Sequence, residues 1–160
     1  MNLAKHCIDV GVRTNNIDAM LEFWTKEVGL PYMELLKVGG GVHQHRLSLK
    51  GSIFKLNHVR SLLPENTPTG YRELLIASDV SKTTPLTDPD GNKVTLVPAG
   101  LHDITNIGMK MVVRSMEDAK RFFTKTVQAE PLSNNSFKWG TTVFLLEEDK
   151  AAPIGGGMQG

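Results

Sequence analysis

The chain reads as an α+β protein assembled from repeated strand-helix-strand modules, and three observations predict this. Short runs of alternating apolar and polar residues, bounded by Gly, Pro and Asn, mark strands along most of the chain. Helical spacing of apolar residues is confined to two stretches, each directly after a strand. The segment Glu22-Phe23-Trp24-Thr25-Lys26-Glu27-Val28 recurs 99 residues later as Arg121-Phe122-Phe123-Thr124-Lys125-Thr126-Val127, so one strand-helix plan is used twice.

The first module opens with alternation over residues 7–13, a strand. Thr14, Asn15 and Asn16 then offer side-chain oxygens to cap a helix beginning near Ile17. Its buried stripe is Ile17, Met20, Leu21, Trp24 and Val28; Gly29 ends it and Pro31 prevents its return. Strands follow over 32–38, 42–50 and 52–59, separated by Gly39-Gly40-Gly41 and Gly51, which completes the order β-α-β-β-β. A turn-rich linker, 64–70, leads to a strand over 71–78, the tight turn Asp88-Pro89-Asp90-Gly91 and a strand over 93–97, with no helix between them. After residues 98–103 the pattern restarts. A strand over 107–113, with Met109 and Met111 filling core gaps, precedes Ser115 as N-cap with Asp118 three residues on. Met116, Ala119, Phe122, Phe123 and Val127 form the second stripe, and strands over 136–139 and 141–146 come next.

Composition narrows the function classes. At 160 residues, 40% hydrophobic and 22% charged, the chain has material for about one ordinary domain with a packed core. Eighteen Lys and Arg against seventeen Asp and Glu give +1 with no dense basic run, so nucleic acid is not an expected partner. Apolar runs such as 74–77 and 143–146 fall far short of the roughly 20 residues a membrane helix needs, so no membrane partner is expected either. The single cysteine, Cys7, has no intrachain partner, which points to a reducing compartment and a cytoplasmic location. The glycine runs at 39–41 and 155–157 lack the spacing of phosphate-binding loops and read as flexible turns.

The start DVGVRTNNIDAMLEFWTKEVGLP, the three strands after it and the closing TDPDGNKVTLVP resemble the vicinal oxygen chelate superfamily, which includes glyoxalase I, extradiol dioxygenases and bleomycin-resistance proteins. The resemblance covers residues 1–98 well and 104–148 more loosely. It implies βαβββ modules whose mixed sheets curl into an open cleft. Residues 1–98 would form a glyoxalase-like domain, with a complete first module and a shortened, helix-less second one. Residues 99–148 would be a partial third module of βαβ type, and 149–160 a Gly-rich flexible tail. With no partner module of its own kind in the chain, the third module would be covered by a second subunit of a homodimer, or by the first module, or the chain is a fragment of a longer protein.

Enzymes of the superfamily hold a divalent metal on the inner strand faces. Carried over residue by residue, the resemblance places the four ligand positions at Asp9, Lys55, Glu73 and Thr95, and the third module's first position at Gly108. Asp9 and Glu73 are the two able to bind Mn, Fe, Ni or Zn; Lys55 is a cation, which repels a hard metal ion. A salt-bridged reading without metal therefore stands beside the metal reading, with Lys55 between Asp9 and Glu73 balancing both. His43, His45 and His58 share strand parity with core leucines and are expected to flank the core rather than line the cleft.

Alternation puts Asp9, Gly11, Arg13, Gln44, Arg46, Ser48, Lys55, Asn57, Glu73 and Thr95 on one face, too polar for an ordinary core. Arg13, Arg46 and Lys55 suit a carboxylate or another anion, with Gln44, Ser48, Asn57 and Thr95 as further contacts to a small molecule. Three functions follow: a small-molecule-binding protein of the resistance type; a metal-dependent lyase, isomerase or dioxygenase of the glyoxalase type, with Glu73 as ligand or general base and Asp9 as ligand; or a non-catalytic interaction module. Only the second is an enzyme.

Overall fold

The computed structural model describes residues 5–64 and 69–153. Part of the linker, 65–68, and the expected tail from 154 on, including 155–157, lie outside the described residues. The first module is β1 (Val10–Thr14), α1 (Ile17–Glu22, continued by a π-helical turn, Phe23–Glu27), β2 (Tyr32–Lys37), β3 (Val42–Leu49) and β4 (Ser52–Val59). Its strands form a four-stranded sheet in the order β1-β4-β3-β2, with β1 parallel to β4 and the other pairs antiparallel. Capping differs from the expected form. Asn16 makes no side-chain cap; instead the Thr14 hydroxyl accepts the Asn16 N–H at 2.8 Å, and Asn15 ties the loop to the Val59 and Ser61 carbonyls.

The second module is β5 (Tyr71–Ser78), β6 (Thr84–Thr87) and β7 (Lys93–Pro98), without a helix. The third is β8 (Ile107–Val113), α2 (Met116–Arg121, continued by a π-helical turn, Phe122–Val127), β9 (Glu130–Pro131), β10 (Ser136–Trp139) and β11 (Thr142–Glu148). It is fuller than the sequence pattern predicts, with all five elements of the first module in the same strand order, β8-β11-β10-β9. The strands missed by periodicity, β6 and β9, are short edge strands containing Pro85 and Pro131, and so few residues carry no alternation. Ser115 caps α2 as expected, accepting from Asp118 N at 3.1 Å. The repeat extends to the helix ends: Gly29 turns left-handed at φ 80°, and its counterpart Gln128 does the same at φ 58°.

Residues 149–153, expected as the start of a flexible tail, instead fold back on the third module. Asp149 N donates to the Val113 carbonyl at 2.9 Å, Arg114 Nε donates to the Ala152 carbonyl, and Ala152 is buried. Among the described residues no helix is long and apolar enough to cross a membrane.

The second and third modules share one sheet. Their first strands, β5 and β8, pair antiparallel, giving the seven-stranded order β6-β7-β5-β8-β11-β10-β9. Period-two alternation divides this sheet into two apolar sides. Leu74, Ile76, Val94, Ile107 and Met109 join one buried cluster with Met20, Phe23 and Trp24 of the first helix and Leu47, Leu49, Phe54 and Leu56 of its sheet. The first module's helix thus belongs to the core that also buries the helix-less second module. Trp24 is the centre of that core, its ring 3.9 Å from Phe54 centroid to centroid. Over the third module, Phe123, Phe137, Phe144 and Leu146 form a second cluster beneath α2. The opposite side of the seven-stranded sheet carries Leu75, Ala77, Val97 and Val143, covered by Ile104.

Candidate functional site

Strand parity places the polar set where alternation predicts, but the structure divides it between the two sheets. On the four-stranded sheet, Gly11 pairs with Lys55 and Arg13 with Asn57 across β1 and β4, while Gln44 faces Asn57 and Arg46 faces Lys55 across β3 and β4. Glu73 and Thr95 lie on β5 and β7 of the other sheet. The expectation that Lys55 stands between Asp9 and Glu73 is therefore corrected. Lys55 Nζ is 2.8 Å from Asp9 Oδ2, whereas Glu73 has its own ammonium, Lys110 Nζ at 2.6 Å, and the Thr95 hydroxyl donates to its other oxygen. Lys110 escaped sequence reasoning because β8 was not expected beside β5; a cation directly opposite a carboxylate becomes visible only once those two strands are paired.

Asp9 is fully engaged. Besides Lys55 it receives Lys5 Nζ at 3.0 Å and the Ile53 amide at 3.2 Å. Burial pushes its carboxyl up, but the Lys55 and Lys5 ammoniums outweigh burial and hold it below the usual range. Burial likewise raises Glu73, and the Lys110 and Thr95 hydrogen bonds reverse the balance, leaving it below the ordinary glutamate value. Both carboxylates are thus anionic and already neutralised by lysine.

The four ligand positions implied by the resemblance consequently do not converge. Two lie on each sheet, and among the described residues no three His, Cys, Asp or Glu side chains are grouped as a metal would require. A divalent ion needs several oxygen or nitrogen donors turned to one point; here each candidate carboxylate is turned to an ammonium. The donor set does not fit a resident metal. His43, His45 and His58 lie on the helix-facing side of the four-stranded sheet, where parity places them: His43 pairs with His58, and His45 with Leu56. His45 Nδ1 is 3.2 Å from the Tyr32 hydroxyl.

Burial, then the neighbouring His58 and His43, lowers the His45 pKa, so its neutral form is favoured in the fold. The stability this contributes is complete above the unfolded value of 6.5 and is lost as pH falls through the lower folded value. Urea midpoints measured between about pH 7 and pH 5 are expected to decline, and His45→Gln to flatten that part of the curve.

The outer face of the four-stranded sheet carries a connected polar row. Glu34 Oε1 accepts from Arg46 at 3.1 Å; Arg46 Nε donates to Gln44 Oε1 at 3.0 Å; Gln44 Nε2 donates to Asn57 Oδ1 at 2.9 Å; and Asn57 Nδ2 donates to the Val12 carbonyl at 3.2 Å. Glu34 is the member sequence reasoning missed, since β2 was placed without a register. The row orients Arg46 while leaving its guanidinium partly exposed. Arg13, on the same face, forms no hydrogen bond or ion pair with the described residues, and neither does the Ser48 hydroxyl. With Arg13, Arg46 and Lys55 set against Asp9 and Glu34, the face carries a surplus of positive charge. The other sheet has a cavity of about 450 Å³ lined in part by Arg72, Lys110, Asn135 and Glu147.

No protein-family model matches the chain, and no curated protein matches its sequence. Solved structures do match its fold. Glyoxalase I from Zea mays superposes with a TM-score of 0.69 at 16% identity, covering 86% of this chain and 65% of that one. A putative dioxygenase from Bacillus subtilis gives 0.61 at 12% identity over 92% of this chain and 64% of its own length. The trypanothione-dependent glyoxalase I of Leishmania major gives 0.50 at 14% identity over 76% and 96%. The chain spans about two thirds of the maize protein's length. These likenesses show a fold shared with glyoxalase I and with the putative dioxygenase.

Proposed function

We propose that this protein binds a small polar or anionic molecule on the open face of the four-stranded sheet, in the manner of the superfamily's resistance-type binding members, with no resident metal. The observation that carries the reading is Arg13. A guanidinium with no hydrogen bond or ion pair among the described residues shares a sheet face with an oriented Arg46 and with a Lys55 whose charge is shared with Asp9. Arginine supplies the bidentate fork that carboxylates and phosphates fit, and Gln44, Ser48 and Asn57 add neutral hydrogen bonds. Thr95 and Glu73, tied to Lys110 on the other sheet, are not part of this site. The metal-dependent lyase or dioxygenase reading loses its support with the separation of Asp9 from Glu73. A cytoplasmic location suits Cys7, whose thiol donates to the Gly51 carbonyl at 3.0 Å.

A second copy completes this face. Within the chain, two modules join by antiparallel pairing of their first strands, Leu74 opposite Met109. The third module's Met109 corresponds to Val10 in the 99-residue repeat, and Leu74 follows Glu73 as Val10 follows Asp9. The first strand of the first module, β1, lies at a sheet edge. The same join between two copies places Val10 opposite Val10, a register a two-fold axis permits, and brings both copies' arginines to one cleft.

Thermal unfolding against small carboxylates and inorganic phosphate tests the reading, with light scattering on the same samples. At least one anion is expected to raise Tm, Arg13→Ala and Arg46→Ala each to weaken it about tenfold or more, and the mass to be that of a dimer. A response to no anion, or one that survives both substitutions, rules the site out; a clean monomer at micromolar concentration rules out the second copy.

A further inference from the structure

We infer that residues 99–106 are a built-in occupant of the cleft between the second and third modules, with Ile104 seated where their first strands meet. Leu75 and Gly108 face each other across β5 and β8 at that point. The space that a side chain on Gly108 would need is taken: a Cβ there would lie 2.6 Å from Ile104 Cδ1, 3.1 Å from its Cγ1 and 3.5 Å from Leu75 Cβ. Ile104 is fully buried, in one apolar cluster with Leu75, Ala77, Val97 and Val143, flanked by Leu101 and Leu132.

The segment is shaped and fastened for this. Gly100, His102 and Asp103 take left-handed backbones at φ 91°, 53° and 62°, turning the chain sharply enough to return Ile104 to the sheet. Left-handed conformations at two non-glycine residues carry strain, which persists only where surrounding contacts over-determine it. Those contacts are the Gly100 amide on the Ile104 carbonyl at 2.8 Å and the Ile104 amide on the Leu101 carbonyl at 3.0 Å. Beyond the turn, the Ala77 amide donates to the Asn106 carbonyl at 2.9 Å, and Asn106 Nδ2 reaches across to the Lys50 carbonyl at 2.6 Å. The metal implied by the resemblance is thus refused here on two independent grounds. Glu73 is neutralised by Lys110, and the third module's first-ligand position is covered by hydrocarbon. This part of the cleft has become core, and ligand entry to it requires release of the strap.

Hydrogen exchange and thermal unfolding test this without reference to the anion site. In the unaltered chain the Ile104 and Ala77 amides are expected to exchange with the slow core class, and Mn, Ni or Zn to leave both exchange and Tm unchanged. Ile104→Ala is expected to lower Tm by about 5–12 °C, and benzene to raise the Tm of that variant but not of the parent, because the vacated space is apolar and dry. Ile104→Val gives a smaller loss in the same direction should the alanine variant not fold. Fast exchange at Ile104 in the parent, or a metal that raises Tm while speeding Ile104 exchange, overturns the inference.

Discussion

Gly140→Ala is expected to destabilise the protein by about 3 kcal/mol or more, read as a lowered urea midpoint. Gly140 sits in the turn between β10 and β11 at φ 58°. A Cβ there would stand 1.9 Å from the His6 carbonyl oxygen and 2.6 Å from its carbon, so backbone rather than a flexible side chain must move. The move has consequences along residues 5–9. The His6 carbonyl accepts the Thr141 amide at 2.7 Å, Ile8 N reaches the Thr142 hydroxyl, and the Ser52 hydroxyl donates to the Ile8 carbonyl. This strap clasps the first module to the third and delivers Asp9 to Lys55. Gly39→Ala is the control, because Gly39 also has a positive φ, 85°, but no atom within 4 Å. It is expected to cost only the left-handed penalty, about 1 kcal/mol. Equal losses for the two variants would show that His6 is not seated against the turn.

The parts of the molecule legible in the sequence are those governed by local periodicity. Ile17, Met20, Trp24 and Phe123 announce their helices because a stripe must face a core, and the Phe23-Trp24 and Phe122-Phe123 pairs keep the same edge-on geometry, 5.6 Å apart in each helix. Parity likewise places Gln44, Arg46, Lys55 and Asn57 on one face and His43, His45 and His58 on the other. What parity cannot supply is which sheet edges meet. The junction of β5 with β8 separates Glu73 from Asp9, introduces Lys110 as its counter-ion and sets Gly108 beneath Ile104. Each of these is a contact between segments more than thirty residues apart or a steric fact about a loop without periodicity. The residues expected to line a single cleft are therefore divided between two sheets.

Asp9 and Lys55 are expected to affect anion binding in opposite directions, which separates an ion-paired binding face from a metal centre. Asp9→Asn keeps the shape and the hydrogen bond from the Ile53 amide but removes the charge that holds Lys55 and Lys5. Stability is expected to fall by about 1–2 kcal/mol, since two partly exposed ammoniums lose their counter-ion while water still reaches them. Affinity for a small carboxylate or phosphate should then rise, by about threefold to tenfold, because Lys55 is released to the ligand and a repelling carboxylate is gone. Lys55→Met is expected to lower that affinity by about tenfold or more and to raise the Asp9 pKa, because burial then acts with only Lys5 opposing it. The lowered Asp9 pKa also fixes an acid limit. Its stabilising contribution is complete above the unfolded value of 3.8 and is lost as pH falls through the lower folded value, a loss that Asp9→Asn should abolish. Titration calorimetry with the anion, run with and without added Mn or Zn, reads both effects. A weakened anion response in Asp9→Asn, or anion binding that appears only with metal, would place Asp9 among metal ligands and end the ion-pair account.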